Sequence, residues 1–170
     1  NAQKGTVMHL CIQKMDERQD YDLQKIDELI NNLQEKGLIT EVEANSVNKK
    51  KLLEYTKSEL WNTLKNAKEI HKEKPFYINV KASRLYNNIS EKDDENILVQ
   101  GVIDLYFITN EDKLILIDFK TDYVSNEEEF VEKYRNQLEL YKEALEQALN
   151  RKVEKMGLYS LYLNKTLEVK

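Results

Sequence analysis

The apolar periodicity of the chain changes at Pro75, its single proline. Before it, apolar residues recur every three to four positions, the signature of amphipathic helices. Leu23, Ile26, Ile30 and Leu33 are one such run. Asp20 or Asp22 can cap its start, and Gly37 ends it. Thr6, preceded by Gly5, can cap a helix over Val7–Met15. Thr40 followed by Glu43 has the spacing of a capping box. Leu52, Leu53, Leu60, Trp61 and Leu64 mark one or two further helices to about residue 70. After Pro75 the period becomes two: Phe76, Ile78 and Val80 alternate with polar neighbours, as in a strand.

The polar stretch Asn87–Asn96 reads as a loop. Strands follow over Ile97–Thr109 and Leu114–Lys120, joined by the turn Asn110-Glu111-Asp112. Glu127–Leu149 is predicted as a long helix with a Phe130, Tyr134, Leu138, Tyr141, Leu145 stripe. Gly157–Leu163 and Thr166–Val169 read as a final strand pair. Helices, strands, a helix and strands in that order predict an α/β core beneath a helical N-terminal layer. The layer is expected over residues 1–72 and the core over 73–170.

Composition narrows the function. One cysteine, Cys11, excludes an internal disulfide, and with two histidines, His9 and His71, any metal site must draw mainly on oxygen. Cys11 is expected to be buried and His71 to lie on the surface. No apolar run has the roughly 20 residues of a membrane span. The net charge of −5 excludes a uniformly basic nucleic-acid coat. Locally, residues 48–74 carry eight Lys against four acids, and residues 16–47 nine acids against three bases. The Lys-rich segment is either a solvated helical face or a phosphate-binding one. An N-terminal Asn and the absence of a basic–apolar leader suggest a piece of a larger cytoplasmic, bacterial protein.

Asp118 and Lys120 lie two apart in a strand, so both side chains point to one face. Ile115, Ile117 and Phe119 take the other, expected to be core. Buried acid and ammonium groups need partners. Asp104, in the neighbouring strand, can bring a second carboxylate to the same point. Two carboxylates and a lysine suit divalent-metal phosphodiester hydrolysis, although a strand-end salt bridge would also produce the pattern. Gln137 and Tyr141, at i and i+4, share a helical face. Taken alone, His9 reads as a helix-surface or packing histidine.

The ordered series Gly5-Thr6-Val7-Met8-His9, Glu73-Lys74-Pro75-Phe76, Gly101-Val102-Ile103-Asp104, Ile117-Asp118-Phe119-Lys120 and Gln137-Leu138-Glu139-Leu140-Tyr141 resembles the RecB-type branch of the PD-(D/E)XK nucleases. It is most similar to the nuclease domain of AddAB-type helicase–nucleases. Ile103 stands where the superfamily name has proline, a departure usual in this branch. The resemblance implies a restriction-endonuclease-like mixed sheet flanked by helices, in a single nuclease domain over residues 1–170. It implies Asp104, Asp118 and Lys120 as catalytic residues. Metal ligands would be His9, Asp104, Asp118 and the Phe119 carbonyl. Gln137 and Tyr141 would support the site and the DNA, while Glu73 either faces the site or merely begins a strand.

The same resemblance implies Mg²⁺ as cofactor, with Mn²⁺ able to substitute. It implies an attached motor delivering single strands during double-strand-break repair, and an AddB-like partner in the complex. No Gly-x-x-x-x-Gly-Lys-Ser/Thr loop occurs, so no ATP site of that kind is expected. The alternatives are a non-catalytic DNA-channel or docking domain and a stand-alone phage or plasmid exonuclease.

Overall fold

A computed structural model describes residues 2–170, with side chains from Gly5 onward. Five N-terminal helices come first: α1 (Ala2–Lys14), α2 (Leu23–Glu35), α3 (Glu41–Ser46), α4 (Lys49–Thr56) and α5 (Glu59–Lys65). The strands β1 (Glu69–Lys81), β2 (Asn96–Ile108) and β3 (Leu114–Lys120) follow, with the short α6 (Ala82–Leu85) between the first two. Then come α7 (Glu127–Leu149), β4 (Val153–Ser160) and β5 (Lys165–Val169). The strands form one sheet in chain order, antiparallel throughout except for the parallel pair β3–β4, which α7 connects. This is the mixed, helix-flanked α/β architecture expected.

Most local signals act as read. Asp22 accepts from the Lys25 N–H at 2.8 Å to cap α2. Thr40 and Glu43 exchange both capping-box hydrogen bonds. Gly37 takes the left-handed φ of 72° that closes α2.

Three boundaries differ. α1 starts before Thr6, running through Gly5, where the helix packs against the end of β3. β1 begins at Glu69 and passes through Pro75. It is an edge strand, where a residue without an N–H is tolerated. β4 starts at Val153 instead of Gly157, and Leu161–Asn164 forms a turn.

The sheet is covered on both faces. Ile117 and Phe119 join Cys11, Tyr55, Trp61 and Leu64 in the core beneath the N-terminal helices. Leu114, Leu116 and Leu158 pack with Phe130, Leu138 and Leu145 of α7 in the other. Cys11 is fully buried, as expected for a small apolar residue. His71 is only partly exposed, stacked on Tyr106 at 4.6 Å between ring centroids.

The two oppositely charged segments meet each other. Lys49 pairs with Asp27 at 2.5 Å, Lys72 with Glu17 at 2.7 Å, and Lys65 with Asp20. Three of the eight lysines of residues 48–74 are thus paired with acids of residues 16–47.

Candidate active site

β2 and β3 pair from Ile108↔Leu114 to Leu105↔Ile117. The ladder stops there, one residue short of Asp104 and Asp118. Past that point the backbone groups of Phe119 take other partners. Its N–H donates to Asp104 Oδ2 at 2.9 Å, and its C=O accepts from His9 Nε2 at 2.7 Å. The end of the ladder thus turns a strand backbone into part of the site.

His9 arrives from α1. Its Nδ1 donates to the Gly5 carbonyl at 2.8 Å, one helical turn back. Gly5 permits the approach: a Cβ there would lie 2.9 Å from Thr121 Oγ1, just beyond β3. A carbonyl at each ring nitrogen favours the doubly protonated, charged ring. Burial opposes that charge. The Gly5 and Phe119 carbonyls and the Asp104 and Asp118 charges outweigh it, raising the pKa above 6.5.

Asp104 is pushed up to about 7, by burial first and then by the Asp118 charge, against the Phe119 N–H that favours its ionised form. The nearness of the two carboxyl groups favours a proton on Asp104. Asp118 itself is buried, and its Oδ2 accepts no well-aligned hydrogen bond. It stands 2.8 Å from Lys120 Nζ, an ion pair by distance.

Lys120 is fixed from three sides. Besides Asp118, it donates to Gln137 Oε1 at 3.1 Å and lies 4.1 Å from the Tyr134 ring centroid. Gln137 Nε2 donates to Tyr141 OH at 3.0 Å. Burial, then the Asp118 and Asp104 charges, push the Tyr141 phenol up to about 12. His9, Asp104, Asp118, Phe119, Lys120, Gln137 and Tyr141 therefore share one site, joined by direct contacts.

Two further residues belong to the site. Tyr134, which its spacing assigns to the α7 core stripe, covers Lys120 and donates its hydroxyl to Asp122 Oδ2 at 2.5 Å. Its i, i+3, i+7 spacing with Gln137 and Tyr141 is the signal that places it on the same face. Glu73, for which the sequence allows either of two roles, falls opposite Asp104 in the β1–β2 register, between Lys72↔Leu105 and Lys74↔Ile103. Its φ of 53° is left-handed, a conformation that costs a non-glycine residue about 1 kcal/mol. Its pKa is raised by burial and by Asp118, with His9 opposing.

The donors suit a hard divalent ion. Neighbouring oxygen and nitrogen ligands around an octahedral ion lie roughly 3 Å apart. His9 Nε2 is 2.7 Å from the Phe119 carbonyl oxygen and 3.8 Å from Asp104 Oδ2. Asp118 Oδ2, buried and engaged only by the Lys120 ammonium, is an acceptor of the kind an ion would engage. Among the described residues no three His, Cys, Asp or Glu side chains form a ready-made cluster. The donor set instead includes the Phe119 backbone carbonyl, with Lys120 beside it.

Residues 1–169 match the family model of the PD-(D/E)XK nuclease superfamily. The chain belongs to that superfamily. It is thus a nuclease domain, and its mixed sheet accords with a restriction-endonuclease-like fold. Its curated relatives include the A subunit of the ATP-dependent helicase/nuclease of Clostridium novyi (strain NT), 34% identical over 99% of this chain. The proteins of the same name from Thermoanaerobacter sp. (strain X514) and Clostridium botulinum (strain Alaska E43 / Type E3) are each 38% identical over 98% of it. The chain spans 14% of the length of each of these relatives. PD-(D/E)XK nucleases generally use divalent metal ions. No helix among the described residues is long and apolar enough to cross a membrane.

Proposed function

We propose that this domain hydrolyses phosphodiester bonds of single-stranded DNA with Mg²⁺, as the nuclease part of an AddA-type helicase/nuclease. In that setting an attached motor supplies the strand and an AddB-like partner completes the complex, in the bacterial cytoplasm, during break repair and recombination. The observation that carries the reading is the meeting of His9, Asp104, Asp118 and the Phe119 carbonyl beside a fixed Lys120.

Asp104, Asp118, His9 and the Phe119 carbonyl would hold the ion. Mg²⁺ supplies Lewis-acid polarisation of the phosphoryl group and a more acidic water. Holding it would require an ionised Asp104 and a His9 Nε2 free of a proton and turned from the Phe119 carbonyl to the ion. The Nδ1 bond to Gly5 keeps the ring oriented meanwhile. Lys120, held by Asp118 and Gln137, places an ammonium where charge grows on the phosphorus oxygens. It also hydrogen-bonds the attacking water. Tyr141 and Gln137 donate to phosphate oxygens and fix the strand. As water oxygen bonds to phosphorus, the leaving P–O bond breaks; the water gives up one proton to solvent and the leaving oxygen takes one from solvent.

The deciding experiment follows labelled single-stranded DNA with Mg²⁺ and in chelator, for the wild-type chain and Asp118→Ala. Mg²⁺-dependent degradation lost in the variant is expected. Degradation that persists in chelator or in Asp118→Ala would refute the assignment.

A further inference from the structure

A groove of about 870 Å³ runs from the His9 side of the site between the N-terminal helices and the turns that follow β3 and β4. His9, Asn48, Lys51, Tyr123, Leu161 and Tyr162 are among the residues that line it. We propose that this groove is the path of the DNA strand next to the scissile phosphate, with unpaired bases stacked on Tyr123 and Tyr162. The inference rests on the nuclease reading above and adds the strand's route and the rings that hold its bases.

Four observations support it. First, both tyrosines are exposed, Tyr123 by 70% and Tyr162 by 44%. Large aromatic rings are not left in water at a turn without a cost in apolar exposure. Second, the rings are held as a unit. Their centroids are 4.8 Å apart at 68°, an edge-to-face pair in which neither ring covers both faces of the other. Third, the pair is anchored from beneath. Lys51 Nζ donates to the Tyr162 carbonyl at 2.9 Å and lies 5.8 Å from its ring centroid. Lys51 is also paired with Glu54 at 3.4 Å, so it positions Tyr162 more than it supplies free charge. Fourth, the groove is continuous with the site, because His9 belongs to both.

The chemistry selects single strands. A base within a duplex offers only its edges, whereas an unpaired base offers a face for stacking, irrespective of its identity. Tyr123 follows β3 by three residues and Tyr162 follows β4 by two. The parallel pair β3–β4 therefore delivers both rings to the end of the sheet that carries Lys120.

The test measures binding apart from cleavage. Anisotropy of a labelled oligothymidylate is read with Ca²⁺ in place of Mg²⁺, for the wild-type chain, the Tyr123→Ala/Tyr162→Ala double variant and the corresponding Phe double variant. The same strand annealed to its complement forms a second arm, and Tyr86→Ala, on an exposed tyrosine outside the groove, is the control. Loss of stacking should weaken single-strand binding about 5- to 100-fold, with the Phe variant close to wild type. Duplex binding should change less. Equal single-strand affinity in wild type and the Ala double variant would overturn the inference, as would an equal loss for duplex. Failure of the nuclease reading shows elsewhere, as Asp118→Ala cleaving like wild type, so the two outcomes are separable.

Discussion

The backbone N–H of Phe119 donates to the Asp104 carboxylate at 2.9 Å, just past the last paired residues of β2 and β3. In a continuing ladder that N–H would be directed to the facing backbone. Here it fixes a buried acid, while the carbonyl of the same residue faces His9. The arrangement explains why Asp104 keeps its place although burial and Asp118 oppose its charge.

Asp118→Ala and Lys120→Ala should each lower DNA cleavage by about 10² or more. The two side chains act as one unit, so the double variant should lose little beyond either single one. Initial rates on single-stranded DNA, with circular dichroism to verify folding, check this. Rates within a few-fold of wild type would place the chemistry elsewhere.

EDTA should abolish cleavage, and Mg²⁺ or Mn²⁺ should restore it. An ion that binds only the folded site at about 100 times its dissociation constant adds about 2.7 kcal/mol. For a chain of this size that is roughly 5–10 °C in Tm. Asp118→Asn should show little of the shift, and an equal shift in both proteins would locate the ion away from Asp118. His9→Ala should weaken the metal titration with partial recovery at high Mn²⁺; superimposable curves would make His9 a packing residue only.

Metal-free stability should fall as pH rises from about 4 to about 7. An unfolded aspartate titrates near 3.9, whereas Asp104 holds its proton up to about 7. Across that window the folded state binds more protons, so its advantage is present below the unfolded pKa and disappears as pH rises through the folded one. His9, also raised, acts in the same direction. Asp104→Asn keeps an acceptor for the Phe119 N–H and removes the charge. In chelator it should match wild type at acid pH and melt higher at pH 8. A wild-type advantage at pH 8 would show that the Asp104 charge is not a burden in the folded site.

The sequence carries the site further than it carries the boundaries. Strand and helix periods put Asp118 with Lys120, and Gln137 with Tyr141, on shared faces, but it is the resemblance that joins them with Asp104 into one expected site. The bounds of β3 and α7 follow from the sequence to the residue. The start of β1 does not, because the penalty against Pro75 vanishes on an edge strand, a property of the assembled sheet. The start of α1 is hidden by Gly5, whose helix penalty of about 1 kcal/mol is accepted where α1 closes on Thr121. Composition reveals the basic run 48–74. Only three-dimensional contact shows Lys65 and Lys72 turned toward Asp20 and Glu17. Tyr134 lies in plain view at helical spacing, but an aromatic stripe reads as core until the ammonium beneath it is placed.

Tyr134→Leu should lower cleavage about 3- to 30-fold, the loss expected when a cation–π contact of roughly 0.5–2 kcal/mol that positions Lys120 is removed. Tyr134→Phe retains the ring and should recover most of it, though its bond to Asp122 is lost. If Phe and Leu are equally impaired, the hydroxyl to Asp122 matters and the ring does not.

Glu73 separates stability from function. Its left-handed backbone is disfavoured for any residue with a Cβ and free for glycine. Glu73→Gly should therefore be more stable than Glu73→Ala by about 1 kcal/mol, measured by urea denaturation. Activity should not follow that order. Burial and Asp118 raise the Glu73 carboxyl, and His9 draws it down, so its charge is coupled to the groups that would bind the ion. Gly and Ala variants should thus lose cleavage alike, although they differ in stability, and Glu73→Gln should lose it too. Wild-type cleavage in all three would reduce Glu73 to a strained turn in an edge strand. Cleavage that instead tracked stability would mean the residue matters only through the backbone it bends.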